Sequence, residues 1–169
     1  MQLNEIINKR VGFGRYQITS FFFLCLIDMS DGVEIILTSF LNPIIKSIFP
    51  DVSTSFVSSL VSIFYIGSFF GSLISGQLAD QYGRRYIIRI GAVMQIIVSV
   101  LFYFANSLFM MFLLRLLYGF SFGFTIAVTT SILAEISPET YRGKGVLLLN
   151  FFISFGKMYG VLLGYYFLE

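Results

Sequence analysis

Three carboxylates lie inside one of the most apolar stretches of the sequence: Asp28, Asp31 and Glu34, in FFFLCLIDMSDGVEIILTSFL. A spacing of three sets each about 60° round an α-helix from the last, so together they form a slanted stripe on one face. Two bases, Arg115 and Lys157, are set in equally apolar runs further along. A carboxylate in such surroundings alternates between a basic partner and a proton, because losing the partner or its access to water favours the protonated form. The chemistry on offer is therefore the carriage of protons and the holding of a polar solute. With no histidine in the chain, any proton moved inside these runs rides on the acids. The materials for covalent chemistry are missing: no glycine-rich phosphate loop, metal-ligand cluster or nucleophile–base set is present, and Cys25, the single cysteine, reads as a small packing residue. The sequence thus implies a non-enzyme with neither cofactor nor metal.

The elements that position these groups follow from composition. Of 169 residues, 57% are hydrophobic and only 12% charged, with 21 Phe and 10 Tyr; a water-soluble core of this kind would lack the polar sequence to cover it. The lipid bilayer is the expected solvent and the fold class is all-α. About 20 apolar residues cross a bilayer as a helix, and five such stretches can be drawn, at residues 16–41, 56–78, 86–104, 108–133 and 146–168. Asn42-Pro43, the 50–55 segment, Ala105-Asn106-Ser107 and the 135–145 segment bound them. Residues 1–15 form a polar, mildly basic lead-in, and the run after them is too long for a signal-peptide core.

Lys9, Arg10, Arg15, Arg84, Arg85, Arg89, Arg142 and Lys144 fall on one side of alternating spans, and Lys46 alone on the other. That excess places the amino terminus in the cytoplasm. The basic residues are spread along span ends and form no patch for nucleic acid. Counting along the spans at 1.5 Å per residue puts Glu34 and Arg115 both roughly 10–12 Å below the outer surface, and Asp28 and Lys157 both near the midplane. An unpaired charge at such depths is expensive, so acids and bases are expected to face the bundle interior and to serve the solute and proton pathway. Tyr16, Tyr82, Tyr141 and the 165–167 aromatics suit the headgroup region.

Between the second and third stretches stands GQLADQYGRR, with Gly76, Asp80, Gly83, Arg84 and Arg85. It reads as a tight cytoplasmic connection whose glycines permit close approach or positive φ. The segment resembles the loop signature of the major facilitator superfamily of secondary transporters. Arg115, Gly119 and Gly123 are similar to that family's fourth-span motif, and Glu135, Pro138, Arg142 and Gly143 to the loop that follows in sugar-porter-like branches. The segment from Asp31 to Pro43 resembles the first span of the synaptic-vesicle-protein-like and metabolite–proton symporter branches.

The resemblance covers nearly all of the chain and about the first half of such a transporter. It implies five helices of a six-helix amino-terminal bundle, alternating access, a small organic solute (organic ion, sugar or metabolite) and protons as partners, and a carboxy-terminal half carried elsewhere. It further implies that the first-span acids work with Arg115; among them Asp31 is the expected proton site, with Glu34 and Asp28 behind it. Asp80 and Arg84 would join Glu135 and Arg142 in a cytoplasmic latch. Gly156, Gly160 and Gly164 recur every four residues and read as a packing face, as do Gly67 and Gly71. Val161 stands where antiporter branches carry proline, which favours symport or uniport. The reading from another class is a non-transporting membrane protein, a remnant or interaction subunit derived from a transporter.

Overall fold

The computed structural model of the chain describes residues 15–48, 52–137 and 139–168. These form five helices with no strand among them: α1 (Arg15–Ile48), α2 (Thr54–Tyr82), α3 (Arg84–Tyr103), α4 (Leu108–Ile136) and α5 (Glu139–Leu168). Four segments, Ser55–Tyr82, Arg84–Tyr103, Leu108–Ile136 and Arg142–Tyr166, are long and apolar enough to cross a membrane. At 34 residues α1 has the length, but its three acids lower its apolar character.

The helices run further than the hydropathy pattern implies. α1 does not stop at Asn42-Pro43; it continues to Ile48 with Pro43 inside it. Proline forfeits one helical hydrogen bond, and packing offsets the loss: Ile45 is buried with Val57 and Leu60, against Val52, Phe56, Leu108, Met111 and Phe112. α2 starts on a cap, with the Ser53 Oγ accepting from the Phe56 N–H at 3.3 Å.

The expected connection at Gly76–Arg85 shrinks to one residue. Gly83 ends α2 and starts α3, its N–H donating to the Ala79 carbonyl at 3.0 Å while its own carbonyl accepts from the Tyr86 N–H at 3.1 Å. Its φ of 91° lies where only glycine is unstrained, and it is the one positive-φ glycine among the described residues. Gly76, by contrast, is an interior position of α2 with nothing within 4 Å of where a Cβ would stand.

Two compact units divide the chain: Leu37–Val128, and the residues up to Ile36 together with those from Thr129 onward. In the first, α2 and α4 cross at backbone contact. A Cβ on Gly119 would strike the Phe64 carbonyl, and one on Gly123 the Ser68 carbonyl; Gly67 and Gly71 are closed off in the same way by Leu116 and Phe120. Such small-residue crossings let dispersion replace the hydrophobic effect, which is weak between helices in lipid. Phe64 fills the margin, 5.2 Å from the Phe122 ring centroid and 6.4 Å from that of Tyr118. α3 buries Ile87, Ile88, Gly91, Gln95 and Val98, and leaves Val93, Ile96, Ile97 and Val100 exposed as a surface suited to lipid. In the second unit α1 and α5 make a like crossing, Gly156 against the Met29 carbonyl and Gly32 against the Ile153 carbonyl.

Candidate functional site

On α1 the buried residues Leu24, Cys25, Asp28, Asp31 and Thr38 occupy one side, and Phe22, Phe23, Leu26 and Leu37 stand exposed on another. Two of the three acids therefore point into protein: Asp28 is 3% exposed and Asp31 1%. Glu34, further round, is half-buried. Asp28 Oδ1 is buried without a hydrogen-bond partner; in an apolar setting that is a costly arrangement, and one that a site meant to bind something can retain. Asp31 and Glu34 each engage another group.

The base of this unit, Lys157, is half-buried on α5. Its backbone nitrogen would lie 3.1 Å from a Cβ at Gly32, and Gly156 abuts Met29. The α1–α5 crossing thus sets the Lys157 backbone beside the turn of α1 that carries Asp28 and Asp31.

Arg115 belongs to the other unit. It is 3% exposed, donates from Nη1 to Thr38 Oγ1 at 2.9 Å, and stands over the Phe102 ring with Cζ 5.0 Å from the centroid. Thr38 is four residues past Glu34 on α1. Lower on α4 a second buried polar contact ties in α3: Gln95 Nε2 donates to Thr125 Oγ1 at 3.1 Å, and Thr125 in turn donates to the Phe122 carbonyl at 2.9 Å. Thr38, Phe102, Gln95 and Thr125 are absent from the sequence reading. A lone amide within the apolar third span could have flagged Gln95, and the one-turn spacing from Glu34 could have flagged Thr38. Nothing distinguishes Phe102 from the chain's other phenylalanines.

Across the α2–α3 junction the half-buried Arg84 approaches the exposed Asp80, Nη2 to Oδ1 at 3.9 Å; a long, largely solvated pair of this kind contributes little to stability. Arg85 is exposed. Gly119 and Gly123 sit in the α2–α4 crossing. Glu135 is exposed in the last turn of α4 and Arg142 in the first turns of α5, while Pro138 lies outside the described residues.

The sequence matches the family described as Sugar (and other) transporter over residues 14–169. The chain belongs to that family. That family, as its description says, is one of transporters, and it lies within the major facilitator superfamily. Synaptic vesicle glycoprotein 2C of Rattus norvegicus is 31% identical over 160 residues, covering 94% of this chain and 22% of the relative. The synaptic vesicle 2-related protein of Xenopus laevis is 30% identical over 155 residues, 92% of this chain and 28% of its own length. A probable metabolite transport protein of Saccharomyces cerevisiae is 38% identical over 85 residues, half of this chain (50%) and 17% of that protein. The chain therefore spans between 17% and 28% of the length of these relatives.

Proposed function

We propose that this chain is the amino-terminal part of a secondary transporter that moves a small organic solute (an organic ion, sugar or other metabolite) by alternating access, in symport with protons. The observation that carries the proposal is the burial of Asp28 and Asp31 in a helix of a transporter-family protein. Carboxylates inside a membrane cost at least about 2.5 kcal/mol each even on mild insertion scales, and they persist where they serve a pathway. In this reading α1 is a fifth crossing, its acids exchange a proton against a basic partner, and Asp31 is the leading proton site. The solute passes between this bundle and a second half, as in transporters built from repeats. Full-length protein in liposomes with an imposed pH gradient, offered labelled hexose, monocarboxylate and tetraalkylammonium in turn, should accumulate one of them and lose it when a protonophore is added. Accumulation that ignores the protonophore removes proton coupling; none from any class favours the non-transporting reading.

The orientation proposed is amino terminus inside, from the distribution of Lys and Arg. Single cysteines at Gln81 and Ser53, in a chain whose Cys25 is replaced by serine, should react with an impermeant thiol reagent from opposite faces, Gln81 from the cytoplasm. Labelling of both from one face contradicts a crossing by α2.

A further inference from the structure

Within the unit that holds α5 and the first part of α1, the glycine crossing fixes which side chains share a flank. Gly32 stands against the Ile153 carbonyl and the Lys157 backbone nitrogen, whereas Gly156 and Gly160 meet Met29 and Val33. Asp28 is four residues before Gly32, so it leaves α1 on the Gly32 side, about 6 Å nearer the amino terminus of the helix. On α5, Ser154 and Asn150 come three and seven residues before Lys157 and share its side. An acid, a base, an amide and a hydroxyl are thereby gathered along one flank of one crossing.

Asp28 is 3% exposed and its Oδ1 is buried without a hydrogen-bond partner, which is costly for a carboxylate until a cation or donor reaches it. Lys157 is half-buried, and among the described residues no ion pair joins it to Asp28. Asn150 and Ser154, both exposed, spend their donors inside α5, on the Val146 carbonyl at 3.2 Å and the Asn150 carbonyl at 3.0 Å. What they offer a solute is acceptor oxygen, which suits an ammonium. Opposite charges that share a flank without pairing suit a solute that carries both charges itself. We propose that Asp28 and Lys157 bind the two ends of a small zwitterion, its ammonium on Asp28 and its carboxylate on Lys157. The proposal rests on the transporter reading above and narrows its solute to amino-acid-like zwitterions.

Binding calorimetry on the purified full-length protein at neutral pH tests this with glycine, β-alanine, 4-aminobutyrate and 6-aminohexanoate, and with butylamine, butyrate and glucose for comparison. At least one zwitterion should bind roughly 10–100-fold more tightly than both butylamine and butyrate, the worth of one hydrogen bond to a charged group. Asp28→Asn should erase the advantage over butyrate and keep that over butylamine; Lys157→Gln should do the reverse. Zwitterions that bind no better than the singly charged probes overturn the proposal, and so does a preference that both variants keep. If Asp28 and Lys157 serve only each other, no zwitterion is preferred, each single change lowers the melting temperature, and the two changes together restore it. Glucose bound in place of the zwitterions removes the proposal and leaves the transporter reading standing. No probe bound, with no uptake in liposomes, removes both.

Discussion

Asp31→Asn in the full-length protein abolishes uphill, pH-driven accumulation while solute exchange at equal pH continues: that is the expected result if Asp31 binds the coupled proton. A neutral amide resembles the protonated acid in size and charge, so the loaded form still reorients, but it has no proton to release. If Asp31 serves instead only to neutralise a base, the same change leaves a buried cation uncompensated, and the protein loses about 3–5 kcal/mol without selective loss of coupling. Pairing Asp31→Asn with Arg115→Gln, and separately with Lys157→Gln, distinguishes the two. In the neutralising case one double variant recovers thermal stability in detergent; in the coupling case neither recovers accumulation. Normal proton-driven accumulation by Asp31→Asn alone transfers the role to Glu34 or to Asp28, whose Oδ1 is buried without a partner.

The second large effect is on folding. A methyl group at Gly119 would strike the Phe64 carbonyl oxygen and lie 2.8 Å from its carbon and 3.0 Å from its Cα. These are backbone atoms of α2, which no rotamer change can move aside, so Gly119→Ala must push two helices apart along their crossing. Overpacking of this kind costs on the order of 3 kcal/mol, and the melting temperature should fall by several degrees or the variant should fail to accumulate in the membrane. Gly76→Ala is the matched control. It is also an α2 glycine, with nothing within 4 Å of the added carbon, and a helical alanine is favoured over glycine by about 0.5–1 kcal/mol. A Gly119→Ala protein that melts with the wild type contradicts the close α2–α4 crossing.

The five helices were legible because hydrophobic runs of bilayer length have few alternatives, and so was the close packing at Gly67, Gly71 and Gly156, since small residues four apart in the second and fifth runs have packing as their common use; that Gly119 and Gly123 face the second run was not. Helix ends were less legible, for two reasons. Asn42-Pro43 carries the usual stop signal, yet the burial of Ile45 outweighs one lost hydrogen bond, a tertiary effect invisible along the chain. Polar residues from Gly76 to Tyr82 and from Glu139 to Lys144 read as loop, yet helices continue past an apolar run when nothing breaks them, and among the described residues there the breaks are at Gly83 and Ser137. At the site, the acid stripe and the two bases stand out by charge against an apolar background. The contacts of Arg115 do not: threonine and phenylalanine are ordinary in such a background, and the convergence of Thr38 and Phe102 on Arg115 depends on α1, α3 and α4 meeting.

The Gly83 joint has a consequence for how the gene can vary. With a single residue between α2 and α3, two dihedral angles set the whole passage from one helix to the next. Adding or removing one helical residue after Gly83 would advance every later side chain of α3 by about 100° relative to the joint. An added residue would carry Ile97 into the buried place of Val98 and Gln95 into the exposed place of Ile96, and a removed one would carry Ile96 into the buried place of Gln95. Longer connections absorb a length change in slack chain; this one has none. Insertions and deletions near Arg84 should therefore be far less tolerated than substitutions there, a reading-frame-like constraint on a membrane hairpin.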